Sequence, residues 1–218
     1  MKTSRAIFLI LFSYATCSFL EWFIHSKVMH GNPKKLTKFP VIGPFLSKTA
    51  KSHLDHHKEV LMDMTLDTKQ PNMNELTFRW ETTLLLFVLY FGLTYPVYRN
   101  MKINTKQCFI ISASVALFYT FVWNNIHVDM HKVTDQINIT HGVPNCPKML
   151  SKGPVYNYLF KYHAIHHFQK GSSKGNYNIV LPGCDYIMNT HNGFRFNNVE
   201  YCKKNYDKRC FVCMSGSL

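Results

Sequence analysis

The sequence predicts an all-α fold: an integral membrane helical domain with a cytosolic histidine-rich helical cap. Hydrophobic residues make up 46% of the 218 positions, and they gather into three long runs, each close to the ~20 residues that cross a bilayer as a helix. Ten of the 12 histidines fall into four short groups, most with helical spacing. Lysines cluster beside the apolar runs, as is typical of the cytosolic side of membrane proteins.

The three apolar runs, residues 6–24, 82–98 and 108–123, predict three membrane spans. The short polar link 99–106 makes the second and third a hairpin. A cleaved signal peptide is the alternative for the first run, because Lys2 and Arg5 precede it and Ala15, Thr16 and Cys17 are mostly small. Cleavage there would leave the first histidine group on a short, unanchored tail, which favours a span.

The formal net charge of +13 admits nucleic acid, an anionic membrane face or an acidic protein as a partner. Lys27, Lys34, Lys35 and Lys38 directly follow the first apolar run, which favours the membrane face. No recognised motif or zinc-finger spacing indicates nucleic-acid binding. We therefore expect no nucleic-acid partner.

The histidine groups have the patterns HxxxxH, HxxHH, HxxxH and HxxHH: His25 and His30; His53, His56 and His57; His127 and His131; His163, His166 and His167. Residues three and four apart share one face of a helix. His25 and His30 are five apart, about 140° around a regular helix, so they share a face only if the last turn loosens. The terminator Gly31-Asn32-Pro33 makes that plausible. We interpret His191, and more weakly His141, as lying outside the site.

The order of spans and groups predicts that all four groups meet on one face of the membrane. No span separates the first group from the second or the third from the fourth, and two spans lie between the second and the third. Residues 34–50 are expected to form an interfacial loop, with the helix of the second group beginning near Ser52, a suitable N-cap. Residues 61–80 are expected to be a polar connector.

Ten imidazoles in one place indicate a dinuclear metal site, because they exceed what one ion can bind. Imidazole suits iron, zinc, copper and nickel. Zinc in proteins usually takes three or four protein ligands, often cysteine, so about five nitrogens per ion favour two iron ions, with zinc possible as a substitute. Glu21, the one charge in the first span, lies four residues before His25. We expect it to face the metal, orient that imidazole and serve catalysis.

Seven cysteines, two of them in apolar runs, do not suggest a disulfide framework. Cys210 and Cys213 form a lone CxxC, a weak signal for zinc or redox chemistry. We divide the chain into a membrane-embedded di-metal domain, residues 1–193, and a basic, cysteine-containing tail, residues 194–218. The sequon at Asn138 should face the cytosol and stay unmodified.

In this order the four histidine motifs resemble those of the fatty acid hydroxylase/sterol desaturase superfamily of membrane di-iron enzymes, from about Glu21 to Thr190. Three boxes look most like those of fatty acid and sphingolipid 2-hydroxylases: Glu21-Trp-Phe-Ile-His25 with His30, His53 to Lys58, and His163 to Phe168. His25-Ser-Lys-Val-Met-His30-Gly31 is also similar to the β-carotene hydroxylase box. The stretch from Gly175 to Asp185 resembles the segment that follows the last box in the wider superfamily.

The resemblance implies O2-dependent hydroxylation of a fatty acyl, sphingolipid or sterol substrate at two iron ions held by the ten histidines. It also implies a multi-pass protein of the endoplasmic reticulum and an external electron donor such as cytochrome b5. Met188-Asn189-Thr190 stands where relatives commonly have Phe-Gly-Thr, and Tyr162 stands where acyl 2-hydroxylases often carry an extra histidine. The interval from His131 to His163 is also longer. These departures leave the lipid unassigned.

Two other hypotheses remain open from the sequence. A desaturase or a carotenoid-type hydroxylase would use the same centre, since both reactions begin with hydrogen abstraction. A membrane protein that stores or transports zinc would bind metal without turnover. Transport predicts ionisable residues within the spans, and residues 82–98 and 108–123 contain none.

Overall fold

The computed structural model describes residues 2–61, 64–67, 76–131, 153–169 and 174–192. These residues form helices and no strand, apart from an isolated bridge between Val60 and Leu66, so the all-α prediction is confirmed for this part of the chain. The elements in order are α1 (Lys2–Phe23), a π-helical segment (Ile24–Met29), α2 (Pro33–Leu36), α3 (Gly43–Glu59), α4 (Trp80–Asn100), α5 (Thr105–Met130), α6 (Pro154–Phe168) and α7 (Cys184–Ile187). The tail 194–218, Asn138 and His141 lie outside the described residues.

Three helical stretches are long and apolar enough to cross a membrane: Thr3–Met29, Trp80–Asn100 and Thr105–Met130. They contain the three predicted spans. Large apolar side chains point outward along them, with Ile10 and Phe118 each 68% exposed. A soluble protein rarely exposes apolar surface over such lengths, whereas hydrocarbon solvates it at no cost. The structure therefore supports membrane association.

The hairpin of α4 and α5 fixes the end of the molecule opposite the histidines. The turn between the helices ends in a capping box, in which Asn104 and Gln107 each accept from the other's backbone N–H. The Arg5 guanidinium donates to the Met101 carbonyl, and the Ser13 hydroxyl lies 3.1 Å from that of Tyr98. The start of α1 therefore lies beside the α4–α5 link, and its far end lies beside the start of α4 and the end of α5.

The expectation of a loop over residues 34–50 is wrong, because α2 and the first turns of α3 occupy most of it. The helix of the second histidine group begins at Gly43 rather than near Ser52. Pro44 lies in the first turn of α3, where a missing N–H is tolerated. Leu46 and Ala50 are buried at 7% and 0% exposure, four residues apart on one face. That apolar face stabilises the helix well before the first histidine.

An amide side chain on α5 forms two hydrogen bonds with the connector between α3 and α4. Asn124 accepts from the backbone N–H of Phe78 at 2.7 Å and donates to its carbonyl at 3.1 Å. The Phe78 ring stacks on Trp123 with centroids 4.6 Å apart. The connector therefore enters the core instead of running over the surface.

This arrangement predicts that the 101–104 link and the α2–α3 loop lie on opposite sides of the membrane. A protease-sensitive epitope inserted after Lys102 should be protected in sealed vesicles in which one inserted after Pro40 is cleaved. Solubilising the vesicles with detergent should expose both epitopes equally. Cleavage of both in intact vesicles would contradict three spans.

Candidate metal centre

The structure brings all ten boxed histidines together at one end of the three long helices. Their nitrogens form two neighbouring groups, in each of which the ligand atoms lie within 4.8 Å of one another: His25, His30, His53, His57 and His166 in group one, and His56, His127, His131 and His167 in group two. His163 adjoins group two, with its Nε2 2.8 Å from that of His167. Either group could hold a metal ion. His191 instead stacks on Tyr186, away from both groups.

The π-helical segment places His25 and His30 on one side of the chain, although they are five residues apart. The N–H of His30 bonds the carbonyl of His25 at 3.0 Å, an i→i+5 bond in place of the usual i→i+4. The wider turn brings the two ring centroids to 5.2 Å, as the predicted loosening requires. Gly31 ends the segment, and a Cβ there would lie 2.5 Å from the Lys27 carbonyl. The chain can turn away at this point only with glycine.

The two HxxHH motifs each supply both groups. Adjacent residues on a helix are about 100° apart, so the double histidine points in two directions. On α3, His53 and His57 enter group one while His56 enters group two. On α6, His166 enters group one while His167, beside His163, enters group two. A double histidine after a spaced one is therefore the pattern expected of a helix that lies alongside two metal positions.

Four nitrogens of group one form a closed ring of nearly equal edges. The Nε2–Nε2 distances are 3.1 Å from His53 to His30, 3.0 Å from His30 to His166, 3.1 Å from His166 to His57 and 3.1 Å from His57 to His53. A square with such edges has its centre about 2.2 Å from each corner, close to a metal–imidazole bond of about 2.0–2.1 Å. Nε2 of His25 lies 3.0 Å from that of His53 and supplies a fifth nitrogen.

Backbone carbonyls fix the tautomer of four of these imidazoles. Nδ1 of His25 lies 2.7 Å from the Tyr177 carbonyl, and Nδ1 of His166 lies 2.8 Å from that of Gly175. In group two, the Leu76 carbonyl lies 2.8 Å from Nδ1 of His127, and the Met64 carbonyl lies 2.9 Å from Nδ1 of His131. A carbonyl only accepts, so each Nδ1 carries the proton and each Nε2 presents a lone pair.

Lone pairs that converge in a buried space fit a cation. Nε2 of His56 and Nε2 of His131 are buried and make no hydrogen bond to protein. Unpaired buried acceptors are costly, and these two belong to group two, whose ligand atoms lie within 4.8 Å of one another. A metal ion would satisfy them all at once, and the donor set of the described centre, imidazole nitrogen alone, suits iron, zinc, copper or nickel.

Burial also keeps these imidazoles neutral, the form that binds metals. It lowers the pKa of His30 to about 2 and that of His166 to about 3. Burial likewise puts the pKa values of His53, His57 and His163 well below their usual range, and neighbouring imidazoles lower them further. No competition from protons is therefore expected at neutral pH.

Two buried carboxylates, those of Asp185 and Glu21, hold the segment 175–181. The carbonyls of this segment orient two imidazoles of group one. Asp185, fully buried, accepts the N–H groups of Tyr177 at 3.0 Å and Asn178 at 2.7 Å. The hydroxyl of Tyr162 donates to the same carboxylate at 2.9 Å. Tyr162 thus positions the segment instead of binding metal.

Glu21 differs from its predicted role. The partner of His25 Nδ1 is the Tyr177 carbonyl and not the Glu21 carboxylate. Glu21 instead accepts the N–H groups of Val180 at 2.7 Å and Leu181 at 2.9 Å. Both carboxylate oxygens thus hold the segment that carries the Tyr177 carbonyl, and the catalytic role of Glu21 remains a prediction.

The carbonyl partners of the imidazoles could not be predicted from the sequence, because a backbone carbonyl has no residue-specific signal. Residues 61–80 were expected to be a polar connector only, although they supply the acceptors for His127 and His131. Trp123, which stacks on His127 with centroids 5.0 Å apart, was treated only as an apolar residue. The i, i+4 spacing of Trp123 and His127 on α5 was the available clue.

Comparison with known proteins gives no match: no family model, no curated protein and no solved structure corresponds to the chain.

Replacing Gly175 with alanine should displace the carbonyl that orients His166. The new Cβ would lie 2.1 Å from the Thr190 carbonyl oxygen and 2.6 Å from Nδ2 of Asn192, so the segment must move. We expect a loss of stability of about 1–3 kcal/mol, measured as a lower midpoint of thermal unfolding in detergent.

Gly92→Ala is the matched control, because nothing lies within 4 Å of a Cβ at that helical position. It should leave the midpoint unchanged or raise it slightly. Equal losses for the two variants would show that the segment around Gly175 does not depend on close backbone approach.

Proposed function

We propose that this chain hydroxylates a membrane lipid, with O2 as oxidant, at two iron ions held by its ten boxed histidines. The observation that carries the proposal is the pair of adjacent, buried imidazole groups at one end of three helices able to span a membrane. Five imidazole nitrogens for each ion exceed the three or four protein ligands that zinc usually takes. The proposal includes a site on the cytosolic face of the endoplasmic reticulum and an external donor such as cytochrome b5.

Bound iron would supply the chemistry that the protein lacks, namely activation of O2 and removal of hydrogen from an unactivated C–H bond. The overall reaction takes one O2, two electrons and two protons, and it yields one hydroxyl group on the lipid and one water. A fatty acyl, sphingolipid or sterol substrate would satisfy this chemistry. A desaturase outcome on the same centre would release two waters and leave a double bond.

The chain itself would contribute rigidity, burial and access. The carbonyls of Tyr177 and Gly175 hold two imidazoles of group one in the binding tautomer, and Asp185 and Glu21 hold the segment that carries those carbonyls. Exclusion of water strengthens electrostatic interactions in the site and limits side reactions. Because the metal centre would lie next to the apolar spans, a lipid could reach it from the bilayer.

Metal content should depend separately on the two groups. Purified protein should contain about two iron ions per chain, and His57→Ala in group one or His131→Ala in group two should each lower that content by roughly half. His191→Ala, outside both groups, is the control and should retain the full content. The measurement is elemental analysis by mass spectrometry.

A different metal result would favour the non-catalytic hypothesis. Two zinc ions, bound even when iron is supplied, together with no O2-dependent product would indicate a zinc-binding membrane protein. Equal losses of metal in His57→Ala, His131→Ala and His191→Ala would contradict the assignment of the two groups.

Expression in a host without its own lipid hydroxylase should produce a lipid that has gained one oxygen atom. Untargeted lipid mass spectrometry should detect it with wild-type protein and His191→Ala, and not with His163→Ala. A product that has lost two hydrogens instead would indicate a desaturase. If no new oxygenated or desaturated lipid forms in the presence of O2, the proposed enzymatic function is contradicted.

A further inference from the structure

We propose that the cavity between α3 and the start of α4 binds an unesterified fatty acid, with its carboxylate at Lys48 and Arg79 and its chain directed to His53. This inference rests on the proposed function and narrows the substrate to a single-chain anionic amphiphile.

One face of α3 forms a wall of this cavity. Its lining residues are Phe45, Lys48, Thr49, Ser52 and His53, whose spacing of three, one, three and one residues is that of a single helical face. This face of α3 therefore carries the ammonium group of Lys48 toward one end and the imidazole of His53, a member of group one, at the other. A ligand lying along α3 would contact both ends.

The inner part of the cavity is apolar and reaches the metal centre. Ile24, Met29, Phe78 and Trp123 line it together with His53. Nε2 of His53 is next to three other Nε2 atoms of group one, at 3.0–3.1 Å. An acyl chain in this space therefore meets group one directly.

The outer part carries two cations and one carboxylate. Lys48 is exposed, whereas Arg79 is half-buried and lies 3.2 Å from Glu81. That pair leaves Nε of Arg79 and Oε2 of Glu81 buried without a hydrogen-bond partner. The guanidinium retains an unused donor, and the local charge is net positive. Such a mouth complements a carboxylate.

The position of the mouth also suits an amphiphile. Trp80 lies between Arg79 and Glu81 in the sequence, is 62% exposed and begins a helix able to span a membrane. Exposed tryptophan at the end of a span is typical of the membrane–water boundary. A fatty acid in the bilayer keeps its carboxylate at that same boundary.

The size of the cavity favours one chain. Its volume is about 110 Å³, well below the roughly 300–1,000 Å³ of common ligand pockets. That is room for part of one acyl chain and not for two chains. A larger cavity of about 400 Å³ lies between α1 and α5, but no histidine lines it.

The test is binding of radiolabelled palmitic acid to the full-length protein in phosphatidylcholine nanodiscs, with and without iron. Lys48→Gln should weaken binding about tenfold, as expected for loss of a charge-assisted contact. The double variant Arg79→Gln/Glu81→Gln should weaken it similarly, without leaving an unpaired carboxylate. Lys51→Gln, on the same helix and outside the cavity, is the matched control and should bind as wild type does.

The fatty alcohol of the same length provides the second arm. It should compete poorly against palmitic acid in the wild type, and it should bind Lys48→Gln as well as it binds the wild type. Equal binding of acid and alcohol by the wild type, or equal weakening by Lys48→Gln and Lys51→Gln, would overturn the inference. Binding of palmitic acid by the iron-loaded protein, with no oxidised product under O2 and an electron donor, would retain the fatty-acid site and reject the proposed function.

Discussion

The structure depends on uncharged imidazoles whose Nε2 lone pairs face one another out of water. Such an arrangement is unfavourable by itself, because buried acceptors without donors lose their hydration and gain nothing in return. Here the Nδ1 protons of His25, His127, His131 and His166 are committed to backbone carbonyls. The lone pairs cannot be reversed without breaking those bonds. A cation between them would turn the cost into a gain, and it would couple folding of this end of the molecule to metal binding.

The elements around the histidines can be understood as support for that geometry. The π-helical turn widens the chain so that two histidines five residues apart both enter group one. Segments outside the long helices supply the carbonyls, and the carboxylates of Asp185 and Glu21 hold one of these segments from two sides. Four of the ten imidazoles are therefore held by backbone carbonyls that lie on other parts of the chain.

The sequence predicted the three spans, the four histidine groups and their meeting at one end, because each depends on periodicity or on connectivity. Hydrophobic length defined the spans, and the order of spans and groups predicted that all four groups meet. Prediction from the sequence was wrong for two features that depend on the backbone, the start of α3 and the partner of His25. The start of α3 at Gly43 was missed because Pro44 suggested a loop. The partner of His25 was assigned to Glu21 because side-chain spacing cannot reveal a carbonyl from Tyr177, more than 150 residues away.

The most direct test of the central claim is X-ray absorption spectroscopy at the iron edge on the iron-loaded protein. We expect a nearest shell of about five nitrogens per iron with the multiple scattering of imidazole rings. At equal protein concentration, His57→Ala should lower the height of the iron edge by about half, because one ion is lost, and His191→Ala should leave it unchanged. A shell of oxygen or sulfur without imidazole scattering, or an iron edge that His57→Ala does not lower, would contradict the account.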